Sequence, residues 1–274
     1  MTTSLTTANI DRTDWLKTFA IAFVLIDHFG YFFVDDAQWW NAAGRLAAPV
    51  FFFLLGFAKS RQLPVSWIVL GLVLTGLEYW NADGDRVTLN ILLSLALMRL
   101  LRPNISTVLV NYRWLGFLVL LGVLIALLPS TLQIVDYGSE GWLWTIFGVC
   151  QRLYVDQNAR SELRTSIQSP AVMPNLRNEA AMMRFLAGVS ASLIYLWMEQ
   201  IEFEFSVLQF TCVVIWIALL TIYLGGFQRG LSPIQPPPAI AKVVAFVGRH
   251  TLEIYAFQLA ACELIILLFP DLAA

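Results

Sequence analysis

A chain of 274 residues with 58% apolar and only 13% charged residues falls well below the roughly one-quarter charge of a soluble domain, which excludes water as the only solvent of its surface and leaves lipid as the other. The net charge of -2 excludes a broad electrostatic footprint for nucleic acid. Cys150, Cys212 and Cys262 each sit in an apolar run with no short-spaced partner, a pattern of small buried hydrophobes rather than of a disulfide or a metal site.

A spanning helix needs about 20 mostly apolar residues, and lipid obliges its backbone groups to pair internally. The N-terminal MTTSLTTANIDRTD is polar and has no basic n-region, so the first apolar run is expected to stay as a helix rather than be cleaved as a signal peptide. In chain order the expected helices are Trp15–Phe33, Trp39–Ala58, Val65–Trp80, Leu89–Leu101, Trp114–Leu128, Gly141–Val155, Ala181–Trp197, Val207–Leu224 and Leu252–Phe269. The fourth and sixth are short, and a further half-helix over Ile240–Arg249 leads into the last. Asp156–Glu179 is polar and reads as a loop. Gln228–Ala239 holds PIQPPP, which favours an extended linker. The expectation is one all-α membrane domain over residues 1–274, a polytopic bundle of nine helices, or ten with the half-helix.

Sorting the loops by charge supports this order. One alternate set carries Arg12, Lys59, Arg61, Arg102, Arg113, Arg152, Arg160, Arg164, Arg177, Arg229 and Lys242, while the other carries only Arg86 among its acids. The excess of Lys and Arg on cytoplasmic loops then places the N-terminus and the Asp156–Glu179 loop in the cytoplasm.

Ionisable residues within spans are costly and usually face a bundle interior or a wet cavity. Asp14, Lys17, Ile21, Val24, Leu25 and His28 recur at helical steps and share one face. Lys17 and His28 are separated by a rise of about 16 Å. Asp27 adjoins His28, and Arg45 lies about two turns into the second helix, followed by Pro49, which should loosen that helix by removing a backbone donor. Lys17 and Arg102 also fit snorkelling to headgroups, and Asp27 with Arg45 fits a structural ion pair.

A histidine is the natural general base near neutral pH. Asp27 or Asp136 is available to fix its tautomer, and Arg45 to stabilise an oxyanion in a dry site. The group Lys59, Arg61, Arg99, Arg102 and Arg152 suits the phosphates of an incoming donor. Together these suggest acyl transfer. No nucleophile elbow, P-loop, dinucleotide fingerprint or His-Glu zinc motif is present.

Several segments carry a family resemblance. DWLKTFAIAFVLIDHFG (Asp14–Gly30), GRLAAPVFFFLLGFA (Gly44–Ala58), TLNILLSLAL (Thr88–Leu97) and DYGSEG (Asp136–Gly141) together resemble the TraX family, named for a conjugative-pilus protein that acetylates the pilin N-terminus. That family is similar to the wider integral-membrane acyltransferases that use acetyl-CoA. There a basic residue stands eleven positions before a functional His, as Lys17 does before His28, and a paired-Arg element matches Arg99 and Arg102. GRHTLEIYAFQL (Gly248–Leu259) resembles the end of the same group, but Gln258 stands where a His often closes the pattern.

The resemblance implies a multi-pass protein of the bacterial inner membrane. It would use acetyl-CoA or another acyl-CoA, with His28 as the functional histidine and Lys17, Arg99 and Arg102 as the matching basic positions. From the residues' own chemistry, Asp27, Arg45 and Asp136 are added to the catalytic site and Lys59 and Arg61 to the groups holding the donor. No metal is implied, and the acceptor is left open. The alternative is a degenerate member serving as an accessory subunit of a membrane complex. A proton-coupled transporter ranks behind both, because no repeated halves are visible.

Overall fold

The apolar runs form helices in the computed structural model, which describes residues 10–60, 62–81, 87–165 and 174–269. The described elements are α1 (Arg12–Phe33), α2 (Gln38–Gly44), α3 (Ala47–Phe57), α4 (Val65–Asn81), α5 (Ile91–Thr131), α6 (Gly138–Thr165), α7 (Pro174–Phe203), α8 (Val207–Gly225), α9 (Pro238–Arg249) and α10 (Thr251–Leu268). Among the described residues six helical stretches are long and apolar enough to cross a membrane: α1, α2 with α3, α5, α7 from Asn178, α8 and α10. The half-helix expected over Ile240–Arg249 is α9.

The chain forms two compact units. The first comprises the described parts of Met1–Val50 and Gln228–Ala274, and the second is built from Phe51–Phe227.

In the first unit the start of α1 meets the segment that precedes α9. The Arg12 amide donates to the Gly230 carbonyl at 3.1 Å and the Ser232 amide to Ile10 at 2.9 Å. Helix α1 starts on a capping box: the Asp11 carboxylate accepts from the Thr13 amide, and Asp14 accepts from the Asp11 amide, satisfying donors that a helix start leaves open. Gly248 packs on Asp14 and Gln258 reaches His28. Helix α9 thus packs on the start of α1, and α10 reaches α1 near its other end.

In the second unit α5 has 41 residues. As one straight helix it would extend about 60 Å, twice the hydrocarbon thickness. It instead folds back at Arg113, whose φ of 47° and ψ of -120° are not helical. Its two ends meet: the Leu89 amide donates to Ile134 at 2.8 Å and the Asp136 amide to Leu89 at 2.9 Å. The fourth and fifth helices of the sequence reading are therefore two arms, 91–112 and 114–131. Against α3, α6 packs backbone to backbone. A side chain at Gly56 would collide with the Thr145 carbonyl, and one at Gly148 with that of Phe53.

Two expectations change. The second helix is not continuous: it breaks between α2 and α3 at Arg45 and Leu46. Pro49 has no amide for the carbonyl four residues back and its ring crowds that carbonyl. The residue four back is Arg45, so the break falls ahead of the proline, and Pro49 itself sits comfortably in the first turn of α3. The polar stretch 156–179 is also helical at both ends, because α6 runs to Thr165 and α7 starts at Pro174. Gln, Ala, Arg, Glu and Leu in this stretch are good helix formers despite their polarity.

Candidate functional site

The first unit gathers Asp27, His28, Arg45 and Gln258. Asp27 and His28 lie on α1, one turn before its end. Arg45 occupies the break between α2 and α3, where its side chain turns to α1. Its Nη2 donates to both oxygens of Asp27, at 2.9 and 2.8 Å, and its Nε donates to the Asn41 carbonyl at 3.0 Å. The pair is shielded, with side chains 6% and 14% exposed. Gly44 makes this approach available: a Cβ there would run into the Asp27 carboxylate.

His28 is half-buried, and its Nδ1 lies 2.7 Å from Gln258 Oε1. An amide oxygen only accepts, so Nδ1 carries a proton and, in the neutral ring, Nε2 keeps its lone pair. Gln258 is turned this way by its own amide nitrogen, which donates to Cys262 Sγ at 3.2 Å. Tyr255, one turn earlier on α10, places its ring 5.8 Å from the imidazole. The tautomer is thus set by an amide, where the sequence offered the carboxylates of Asp27 or Asp136. Both Asp27 oxygens are engaged by Arg45, although Asp27 and Arg45 are close enough to act on His28 electrostatically.

Asp136 belongs to the second unit, in the turn joining α5 to α6. The Thr88 hydroxyl donates to one of its oxygens, and the Ile91 amide to the other at 3.1 Å. Burial among neighbouring atoms pushes its carboxyl above the usual carboxylate range, against the opposing pull of these two donors. Tyr137 follows with φ 59° and Gly138 with φ 28°. The segments TLNILLSLAL and DYGSEG are thereby parts of one knot, which closes the α5 hairpin and starts α6.

The basic residues divide between the units. Lys17 is half-buried on α1, about 16 Å along the helix from His28. In the second unit Lys59, Arg102, Arg152, Ser106, Thr107 and Asp156 line a cavity of about 340 Å³. Arg102 is 2% exposed. It donates to the Ala58 carbonyl and to the Ser60 carbonyl at 3.1 Å, so it caps the C-terminal end of α3. Arg152 joins it at Ala58, at 3.0 Å, and binds the Ser106 hydroxyl at 2.8 Å. Lys59 pairs with Asp156 at 3.2 Å and is well exposed. Arg99 lies apart from the cavity lining, with its Nε donating to the Gln62 carbonyl at 3.3 Å and its guanidinium 5.9 Å from the Trp67 ring. Arg61 lies outside the described residues.

Sequence reading missed three participants. Gln258 was visible only as a departure from a pattern, and its partner is 230 residues away. Ser106 and Thr107 gave no signal beyond their place one turn after Arg102. Among the described residues no cluster of three His, Cys, Asp or Glu side chains is arranged to hold a metal.

Helices of spanning length with ionisable side chains drawn together between them define a multi-pass α-helical membrane protein. The sequence model of the TraX family, described as TraX protein, matches residues 12–213, and the chain belongs to that family. No curated protein and no solved structure matches it.

Proposed function

We propose that the protein is an acyltransferase of the bacterial inner membrane that moves an acetyl or other acyl group from an acyl-CoA to a hydroxyl- or amine-bearing acceptor. The observation that carries the reading is the imidazole of His28: Nδ1 is committed to Gln258, which leaves Nε2 as a base on a half-buried, partly accessible ring. In the proposed step Nε2 takes the proton of the acceptor O–H or N–H as the heteroatom attacks the thioester carbonyl. The tetrahedral intermediate collapses with loss of the CoA sulfur, and the proton on Nε2 passes to that sulfur. The Asp27–Arg45 pair supplies a fixed dipole beside the imidazole in a site of low dielectric.

The basic cavity of Lys59, Arg102 and Arg152 supports the donor half of the reading, with the exposed Lys59 ammonium and the Ser106 and Thr107 hydroxyls as the groups for phosphate oxygens. Arg102 holds the end of α3 in place beneath them. On this reading Arg99 and Arg61 are further candidate cations for the donor, and Lys17 is a separate candidate on α1.

The test is release of free CoA from acetyl-CoA by purified protein in native membrane lipid. Replacing His28 with Ala should lower turnover by about 100-fold or more, the usual contribution of a positioned base. Unchanged turnover in that variant would remove His28 from the chemistry. A wild-type protein that releases no CoA, yet co-purifies with a stoichiometric partner, would favour the accessory-subunit reading.

A further inference from the structure

Helix α9 has 12 residues and a length of about 18 Å, too short for a hydrocarbon layer of about 30 Å. Its small residues face α1. Ala241, Val244, Ala245 and Gly248 are buried, the Thr18 hydroxyl donates to the Val244 carbonyl at 3.2 Å, and a Cβ at Gly248 would lie 2.8 Å from Asp14 Cα. Because α1 is of spanning length, these contacts hold α9 at the depth of α1's first two turns, where the polar zone of a bilayer gives way to its acyl chains.

The remaining circumference of α9 is divided in a telling way. Ile240, Val243 and Phe246 are 50, 60 and 59% exposed. At about 100° per residue they fall within a 120° arc on the side away from the buried face. Lys242 and Arg249, both exposed, are seven residues apart and so nearly eclipsed, about 10 Å from each other along the axis. They form one stripe between the buried face and the outer apolar arc. Exposed Arg229 precedes Gly230, which is tied to the backbone of Arg12 at the start of α1, and adds positive charge to the same end of the unit.

We propose that α9 is an interfacial helix. Its outer arc enters the boundary of the acyl chains, and its cation stripe, Lys242 and Arg249, binds the phosphate-bearing headgroups of anionic phospholipids. A helix too short to span, with an apolar arc edged by cations and packed on the first turns of a spanning helix, satisfies both faces at the boundary between headgroups and acyl chains. This assignment is independent of the acyl-transfer reading.

The full chain is to be reconstituted in bilayers of phosphatidylcholine with phosphatidylglycerol. A nitroxide is placed on V243C, and separately on K242C, in a C212S background. Power saturation should place the label at 243 just below the headgroups, more accessible to oxygen than to a water-soluble relaxant, and the label at 242 in the aqueous headgroup zone. Spin-labelled phosphatidylglycerol should associate with the protein in preference to phosphatidylcholine. That preference should fall by about 5-fold for each cation removed in K242Q and R249Q. A label at 243 that reads as bilayer centre or bulk water, or that shows dipolar broadening from a second copy, would overturn the assignment. So would an unchanged lipid preference in the double variant.

Discussion

Asp27 and Arg45 illustrate how a single residue's position follows from a backbone constraint two turns long. Pro49 opens the helix at Arg45, Gly44 clears the space, and the guanidinium then closes on Asp27 with both carboxylate oxygens engaged. A shielded pair of this kind is destabilised strongly when one partner is removed, because the other is left as an uncompensated charge. D27A or R45A should therefore lower unfolding free energy by about 3–5 kcal/mol, whereas the double replacement D27L with R45M should recover much of that loss. Denaturation followed in mild detergent checks the comparison. Asp136 makes the opposite kind of contribution. Its carboxyl is held above the usual range by burial, so the folded state favours its neutral form. The stability it contributes is complete in acid and is lost as pH rises through the raised value. D136N cannot ionise, so its thermal midpoint should gain on wild type as pH rises from the ordinary carboxylate range through the raised value, and the difference should then level off. A difference that does not change with pH would contradict the assignment.

At the scale of elements, the α5 hairpin turns on one residue that is not glycine. Arg113 adopts φ 47°, a conformation that costs a residue with a Cβ about 1–2 kcal/mol. Its compensation is an ion pair with Glu179 at 3.5 Å whose Arg side chain is 53% exposed, and exposed pairs of that kind contribute little. R113G should therefore raise the thermal midpoint, and a fall would show that the ion pair outweighs the strain. The arms themselves were legible in the sequence, because Leu89–Leu101 and Trp114–Leu128 are separate apolar runs parted by Asn111, Arg113 and their neighbours. The position of the break in the second helix was only half legible: Pro49 announced it, but the consequence lands four residues earlier, on the carbonyl that the proline leaves without a donor. The polar ends of α6 and α7 were misread as loop, because hydropathy reports the lipid-facing length of a helix and not its full length.

At the scale of the molecule, the spans were legible because lipid imposes long apolar runs. The pairing of distant segments was not, because no local pattern records it. The first unit joins residues at the two ends of the sequence, and the Gln258–His28 contact arises only from that return. The two motifs around Thr88 and Asp136 looked like separate signatures and are one structural knot. Asp136 sits at that junction, where its carboxyl accepts from Thr88 and Ile91. What remains as the proposed centre is an imidazole whose basic nitrogen is selected by an amide on α10. Acyl-CoA turnover by H28A, Q258L and the double variant, set against wild type in native membrane lipid, tests that centre most directly. The account predicts that Q258L is slowed, that H28A is slowed further, and that the double variant is no slower than H28A, because Gln258 acts through His28. Turnover in H28A equal to wild type, or losses in the two single variants that multiply in the double, would contradict it.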